Sequence, residues 1–190
     1  MSCSACERRC GSGQSGTRGR WIPHLQSDDK RYQVTIALGA ETDSHDADGE
    51  VTETADVPPL DAAMVEQALQ PFIGCHLQEA PKLSAIKVGG TPLHRRMRRG
   101  EDVEAPVREV DLYEATVDEV SQDALRLSLH CGKGFYVRSL ARDLARALGT
   151  LGHVKVLRRT ASGAFSIENG LYGDQMTAEA IAERLIPLKE

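Results

Sequence analysis

The sequence predicts a mixed α+β protein with a largely antiparallel sheet and flanking helices. Residues 31–38 and 124–131 alternate apolar with polar side chains, which is the pattern of strands that have one buried face. Further strands are predicted near residues 107–118, 154–158 and 163–167. The predicted strands adjoin without regular helical crossovers, and strands connected in that way pair antiparallel.

The chain has 190 residues, which is enough for one domain with a sizeable core. Residues 1–29 are rich in Ser, Gly, Arg and Cys, and they have neither the period of a strand nor that of a helix. We therefore expect an irregular or disordered leader over residues 1–29, followed by a single domain over residues 30–190.

Three cysteines are crowded in this leader and resemble half of a zinc site. Zinc normally needs four ligands, His24 is the nearest candidate for the fourth, and no second CxxC follows. We therefore interpret the leader as an unstructured segment with exposed thiols, and we expect no metal. The three cysteines are Cys3, Cys6 and Cys10.

Three helices are predicted. The first begins after Asp61, a suitable N-cap, and its buried stripe consists of Met64, Val65, Ala68 and Leu69. The second runs from about Val137 to Leu148, with Gly149 as the expected C-cap. Leucines form one stripe of this second helix, and a neighbouring stripe carries Arg138, Arg142 and Arg146. The third helix is predicted over residues 177–185.

Charge is distributed unevenly along the chain, although the formal net charge is only −5. Nine acidic residues and no Lys or Arg occur between Ala40 and Glu66, and six basic residues and no acid occur between Lys82 and Arg99. Seven basic residues accompany a single acid between Lys133 and Arg159. The two basic blocks could bind a polyanion while the whole chain stays acidic.

The apolar runs of the sequence are all too short to span a membrane, and the N-terminus lacks the hydrophobic stretch of a signal peptide. We therefore expect a cytoplasmic protein with no membrane partner. We also expect it to be a monomer.

Four segments contain the residue types that RNA chemistry needs. They are DKRYQVTIALGAETDSHDADG from Asp29, APKLSAIKVGG from Ala80, CGKGFYVRSLARDL from Cys131, and LRRT from Leu157 with Gly163 and Phe165 close behind. Tyr136 and Arg138 alternate on an extended or turn segment, so both can project to one side of the chain. An aromatic ring there can stack on an extruded base, and a guanidinium can pair with a carboxylate or a phosphate.

Taken singly, these residues have ordinary structural interpretations as well. Tyr136 is equally well explained as a core tyrosine whose hydroxyl is satisfied. The arginines at positions 95–99 are equally well explained as a solvated charged face, and Leu157 as part of the core.

In this order, the four segments resemble the TruB family, the tRNA pseudouridine-55 synthases that convert a T-loop uridine of tRNA to pseudouridine. The third segment is similar to the family pattern C-S-K-G-T-Y-I-R-S-L, and the first to K-x-Y and L-G-x-x-T-D-T-x-D-x-x-G. The second is similar to P-P-x-Y-S-A-x-K, with Leu83 in place of Tyr, and the fourth to L-R-R-T with G-x-F. The resemblance runs from about Asp29 to Leu188. It implies that residues 30–190 are part of a pseudouridine synthase catalytic domain.

The resemblance implies a role for each matching residue. Tyr32 matches the tyrosine that contacts the flipped uracil, Tyr136 the second aromatic of the pocket, and Leu157 the leucine that closes the pocket against water. Arg138 matches the arginine that pairs with and orients the catalytic aspartate. Contacts to the RNA backbone are implied for Lys87, Arg95, Arg96, Arg98 and Arg99. The implied partner is the T-arm of tRNA, and the implied chemistry needs neither a metal nor an organic cofactor.

One departure from the family bears on activity. Family members place the segment G-H-x-G-x-L-D-P-x-A-x-G, with the essential Asp, upstream of the first pattern, and residues 1–29 contain no match to it. Asp28 and Asp29 are the only aspartates in that stretch. We therefore expect this chain to lack the nucleophilic aspartate, and also the C-terminal RNA-binding domain of bacterial relatives.

Three hypotheses about function remain open at this point. The leading one is the family function, isomerisation of a T-loop uridine in tRNA. The second is a catalytically inactive module that binds tRNA or assists its folding. The third is an RNA-binding α+β protein unrelated to the family.

Overall fold

A computed structural model describes residues 29–81, 84, 87–88, 91–92, 105–171, 173 and 176–183. The first 28 residues of the predicted leader, with the cysteines and His24, lie outside the described residues, and so do the arginines at positions 95–99. Lys87 is described in its backbone.

The described part of the chain forms ten strands and three α-helices. The strands are β1 (Lys30–Leu38), β2 (Ala40–Thr42), β3 (Val51–Thr54), β4 (Gly74–Glu79), β5 (Lys87–Val88), β6 (Thr91–Pro92), β7 (Val107–Val120), β8 (Ala124–Cys131), β9 (Gly152–Ser162) and β10 (Phe165–Ser166). The helices are α1 (Ala62–Leu69), α2 (Val137–Ala147) and α3 (Ala178–Glu183), with short 3-10 turns at Gln70–Phe72 and Ile167–Asn169.

Six of these strands form one sheet in the order β10-β9-β1-β8-β7-β4, and every neighbouring pair in it is antiparallel. Two small antiparallel pairs, β2 with β3 and β5 with β6, lie outside this sheet. The predicted fold class, α+β with an antiparallel sheet and flanking helices, is therefore confirmed.

Strand β1 lies at the centre of the sheet and pairs with β8 on one side and with β9 on the other. Its alternate residues Val34, Ile36 and Leu38 are buried, as the alternation predicted. Alternate residues of β8 are buried as well, namely Leu125, Leu127, Leu129 and Cys131. Helix α2 contributes a further buried stripe of Leu140, Ala141, Leu144 and Ala145. These residues share one hydrophobic core, so the helix is fixed against the sheet face on which Tyr32 and Leu157 also lie.

The N-cap prediction for α1 is confirmed, since the Asp61 carboxylate accepts a hydrogen bond from the Met64 N–H at 2.8 Å. The predicted burial of Met64 is wrong, because that side chain is 45% exposed. The helix has only eight residues, and it buries Val65 and Leu69, which lie four positions apart on one side.

The two strands predicted near residues 154–158 and 163–167 are arranged differently in the structure. A single strand, β9, runs for 11 residues from Gly152, because it pairs with the whole of β1. Gly163 has a positive φ of 53° and makes the turn into the two-residue β10. Across the described residues, no helix is both long and apolar enough to cross a membrane.

A close approach between α2 and the sheet requires a glycine at position 152. A Cβ atom added at Gly152 would lie 2.7 Å from the Ala145 Cβ and 3.0 Å from the Ala37 carbonyl oxygen. We expect Gly152→Ala to lower the free energy of unfolding by about 1–3 kcal/mol, because the helix must shift to relieve the overlap. Urea denaturation followed by circular dichroism measures this loss. Gly173→Ala is the control, since a Cβ there meets nothing within 4 Å; equal midpoints for the two variants would contradict the expectation.

Candidate active site

The start of helix α2 is positioned by the glycine-rich turn after β8. Gly134 has a positive φ of 85°, which lets the chain reverse direction within a few residues. Tyr136 is the N-cap of α2 with extended φ and ψ of −110° and 108°. The helix begins at Val137, so Arg138 lies in its first turn and not on the extended or turn segment that the sequence indicated.

Arg138 reaches from this first turn to the loop between β2 and β3. Its Nη1 donates to the Asp46 carboxylate and to the Ser44 carbonyl oxygen, both at 3.1 Å. The two charged side chains are 24% and 28% exposed. The ion pair is therefore largely shielded from water. Because of this shielding, its electrostatic interaction is stronger than that of a pair at an exposed surface.

The loop that carries Asp46 is itself fastened at several points. The Thr42 hydroxyl donates to the Asp46 carbonyl oxygen at 2.7 Å, and the Ser44 hydroxyl donates to the Asp46 carboxylate. His45 adopts a left-handed backbone with φ of 60°, and its carbonyl oxygen accepts from the Val154 N–H at 3.0 Å. The carboxylate is thus held in place against strand β9 before any ligand is bound.

The other two arginines of the predicted stripe also form ion pairs. Arg142 is 10% exposed and pairs with Glu79 of β4 at 3.2 Å and with Asp143 at 2.7 Å. Arg146 donates to both oxygens of Glu41 in β2 at 2.9 Å. The arginine ladder, as we call Arg138, Arg142 and Arg146, therefore connects α2 to three other segments of the fold.

His45 lies among these charges. Burial, and next the positive charge of Arg142, lower the pKa of His45 from its ordinary 6.5; Arg138 and Arg146 act in the same direction and Glu41 opposes them. The Nδ1 atom is buried and has no hydrogen-bond partner within the described ranges. The ring is accordingly neutral near pH 7.

Tyr32 and Leu157 come together through the register of β1 and β9. Tyr32 pairs with Arg159, and Val34 pairs with Leu157, so Tyr32 and Leu157 are diagonal neighbours on one face of the sheet. Both are half-buried and pack against the core. The sheet thus brings together two of the side chains for which the family resemblance implies a place in a uridine pocket.

Tyr136 is held by its backbone. Its N–H donates to the Gln78 Oε1 at 2.8 Å, and its carbonyl oxygen accepts from the Gln78 Nε2 at 3.1 Å. The structure therefore places three predicted site residues, Tyr136, Arg138 and Leu157, on elements that pack against β1, which carries the fourth, Tyr32. The predicted RNA contacts of the arginines at 95–99 lie outside the described residues.

Sequence reasoning missed Asp46 and Gln78. Asp46 belongs to the quoted T-D-S-H-D-A-D-G stretch, but the many acidic residues around it favoured an interpretation as turn chemistry. The sequence feature that could have singled out Asp46 is the presence of Thr42 and Ser44 just before it, because their hydroxyls bind it. Gln78 carried no local signal, because a single glutamine in a polar strand is unremarkable until its partner is known.

Neither Asp29 nor Cys131 is a free nucleophile in this structure. Asp29, one of the two aspartates in the predicted leader, pairs with His130 of β8 at 3.0 Å. Burial raises the pKa of the Cys131 thiol to about 12, so this cysteine is no nucleophile at neutral pH. Among the described side chains, no group of three or more His, Cys, Asp and Glu residues is arranged to hold a metal ion.

The lowered pKa of His45 predicts a pH dependence of stability. In the unfolded chain the histidine binds a proton below about pH 6.5, whereas in the folded chain it does so only at lower pH. Its contribution to stability is therefore present above about pH 6.5 and is lost as the pH falls towards the folded pKa, with a slope of up to about 1.4 kcal/mol per pH unit.

Urea denaturation between about pH 7.5 and 5.5 measures this loss. His45→Asn is the matched variant, because Asn tolerates the left-handed backbone and does not titrate. We expect the wild type to lose more stability than His45→Asn over this range, and parallel curves would contradict the assignment.

Comparison with known proteins agrees with these observations. The model of the TruB family pseudouridylate synthase N-terminal domain matches residues 14–137, a range that begins inside the predicted leader. The model of the tRNA pseudouridylate synthase B C-terminal domain matches residues 138–188. The N-terminal model alone covers well over half of the chain.

The curated relatives include proteins named tRNA pseudouridine synthase B from two organisms that match this chain over different lengths. That of Xanthomonas campestris pv. campestris is 49% identical over 130 residues, which are 68% of this chain and 42% of the relative. That of Ruegeria pomeroyi is 40% identical over 180 residues, which are 92% of this chain and 59% of the relative. The chain spans about half the length of the curated relatives that it matches.

Solved structures with the same fold include a Cbf5-Nop10-Gar1 complex, with a TM-score of 0.54 at 22% identity over 77% of this chain and 34% of that one. An H/ACA RNP bound to a substrate RNA gives a TM-score of 0.52 at 22% identity over 80% of this chain and 34% of that one. At this identity they show the fold alone. On the strength of the family models, the chain belongs to the TruB family of pseudouridylate synthases.

Proposed function

We propose that this chain isomerises the T-loop uridine of tRNA to pseudouridine, the tRNA pseudouridine-55 synthase reaction. The observation that carries the proposal is the shielded ion pair of Arg138 and Asp46, held at the start of a helix that packs on the sheet face of Tyr32 and Leu157. Family membership supports the same reaction.

The reaction breaks the bond between the sugar C1′ and N1 of uracil, turns the detached ring, and joins C1′ to C5, whose proton is released. It needs a carboxylate at the sugar or base and a dry pocket that retains the free ring. In this proposal Tyr32 and Tyr136 contact the uracil, Leu157 excludes water, and Arg138 orients the carboxylate. Within the described residues, the carboxylate that Arg138 holds is Asp46.

A second candidate function has its own supporting observation. Besides its contact with Arg138, the Asp46 carboxylate accepts hydrogen bonds from the Ser44 hydroxyl and the Asp48 N–H, so it also serves to fasten its own loop. A structural role of this carboxylate favours a module that binds the T-arm and extrudes its uridine, or assists tRNA folding, without isomerising the base. Both candidates share the RNA partner and differ in turnover.

The proposed protein is a monomer, and its substrate, a cytoplasmic RNA, makes the cytoplasm the proposed location. RNA-backbone contacts are proposed for Lys87 and for the arginines at 95–99, within a segment that has six basic residues and no acid. Such contacts release counterions from the RNA, so affinity depends on salt.

Release of tritium from C5-labelled uridine in tRNA tests the reaction, since the C5 proton is lost only when the new bond forms. We expect turnover by the wild-type chain and a loss on the order of 100-fold for Arg138→Lys, which keeps the charge but not the planar fork that holds Asp46. Arg126→Lys is the matched control, because Arg126 pairs with Glu119 at 3.0 Å on the exposed surface.

Two other results would change the assignment. Binding of T-arm RNA without tritium release would overturn the enzyme and leave the binding module. Failure of the wild type to bind T-arm RNA at low salt would overturn both candidates, because phosphate contacts dominate such affinities.

The basic segment makes a separate prediction. We expect replacement of Arg95 and Arg96 by Gln to weaken T-arm RNA binding and to reduce the slope of log K against log salt by about 0.7–0.9 for each phosphate interaction that is removed. Fluorescence anisotropy over a salt series measures both quantities, with Arg126→Gln as control. A weaker affinity with an unchanged slope would place these arginines outside the RNA interface.

A further inference from the structure

The side chain of Gln78 binds the backbone of Tyr136 as a neighbouring strand would. Its Nε2 donates to the Tyr136 carbonyl oxygen at 3.1 Å, and its Oε1 accepts from the Tyr136 N–H at 2.8 Å. Gln78 is 3% exposed, so this pair of hydrogen bonds is protected from competing water. The two residues are 58 positions apart in the chain.

The residue after Gln78 continues the same attachment. The Ser139 hydroxyl donates to the Glu79 carbonyl oxygen at 2.6 Å, and the Glu79 carboxylate pairs with Arg142 at 3.2 Å. Two consecutive residues of β4 thus hold the cap and the first turns of α2. The N-cap residue, Tyr136, makes no side-chain capping bond of its own.

This attachment fixes the backbone of Tyr136, and with it the position of the Cα atom from which the side chain extends. The residue is at the N-cap, where an extended backbone turns into a helix, and a small change of its φ or ψ would swing the ring relative to Arg138 two positions on. With the backbone clamped on both its N–H and its C=O, only the side-chain torsions remain free. The direction in which the Tyr136 ring points therefore depends on Gln78.

Strand β4 leads along the chain into the segment from Lys82 to Arg99, which contains six basic residues. The Ala80 N–H donates to the Pro106 carbonyl oxygen at 3.1 Å, so the chain before this segment is hydrogen-bonded to the chain after it. Ala80 is buried at this contact. Gln78 lies two residues before this closure.

We propose that Gln78 is a positioning residue for uridine capture, which holds the Tyr136 ring where an extruded base stacks. The proposal rests on the proposed function, because it assumes that Tyr136 contacts the flipped uracil. Gln78 itself touches no substrate in this scheme and acts through the Tyr136 backbone.

Three variants of the full chain test it. Gln78→Met keeps the length and apolar volume of the side chain but removes both hydrogen bonds. Gln78→Glu keeps the acceptor for the Tyr136 N–H and loses the donor, which protonation of the new carboxyl at acidic pH restores. Leu77→Met is the control, because Leu77 precedes Gln78 on the same strand and is 69% exposed on its other face.

The probe is a T-arm stem-loop with 2-aminopurine next to the target uridine. The fluorescence of the 2-aminopurine rises when the neighbouring uridine leaves the stack, and this rise is the extrusion signal. Anisotropy of the same RNA gives its affinity separately. We expect Gln78→Met to reduce the extrusion signal at saturating protein by about 10-fold or more, with affinity changed less than about threefold. Gln78→Glu should recover part of the signal as the pH falls, and Leu77→Met should match the wild type.

Faster amide exchange at Tyr136 in Gln78→Met, with α2 itself still protected, is the expected sign that the hydrogen bonds of Gln78 are lost without unfolding. A normal extrusion signal in Gln78→Met would overturn the positioning role alone. Loss of affinity and of helix protection in parallel with the signal would also overturn it, in favour of a purely structural role. Absence of an extrusion signal in the wild type would instead overturn the proposed function, and this inference with it.

Discussion

The structure depends on a single geometric constraint, the arginine ladder of α2. Three guanidinium groups at four-residue spacing lie along one side of the helix and bind carboxylates on separate segments: Asp46 after β2, Glu79 on β4 and Glu41 on β2. Apolar packing on the sheet is non-directional, and it would allow the helix to slide or turn by small amounts. The ladder removes this freedom, and so it sets the height and rotation at which Tyr136 and Arg138 stand above the sheet.

The charges of the ladder define geometry more than they add stability. Arg142 is almost fully buried, and although burial acts to lower its pKa, the hydrogen bond to Asp143 and the charges of Glu79 and Glu41 raise it. Taking such ions out of water costs several kcal/mol each, which their attraction only offsets when the geometry is good. Arg142 has two carboxylate partners and the Arg146 side chain is 52% exposed, so the loss of one pair leaves either guanidinium partly compensated by a second carboxylate or by water. A shift of the helix would disturb all three pairs of the ladder together, so the fold itself sets the positions of Tyr136 and Arg138.

The parts of the fold that were predictable from the sequence are those whose signal is local. The alternation in β1 and β8, the Asp61 cap and the spacing of the arginines each depend on residues a few positions apart. The partners of the arginines were not predictable, since Asp46 is 92 positions from Arg138 and Glu41 is 105 from Arg146. Met64 was misassigned because a short helix buries a narrower stripe than its apolar pattern indicates. The length of β9 was underestimated because pairing with β1, and not its own composition, determines where it begins.

The central position of β1 has a consequence for how the chain folds during synthesis. Lys30 at the start of β1 contacts Cys131 at the end of β8, 101 residues later, and β9 follows later still. A ribosome that adds about 5–20 residues per second leaves β1 without either neighbour for about 5–20 s. During that interval an alternating apolar strand with two open edges is a template for unwanted pairing with other chains. Such a topology also folds slowly, because distant contacts must form before the core is closed. The fate of the nascent chain therefore depends on how well the edges of β1 stay apart from other chains until β8 and β9 have been made.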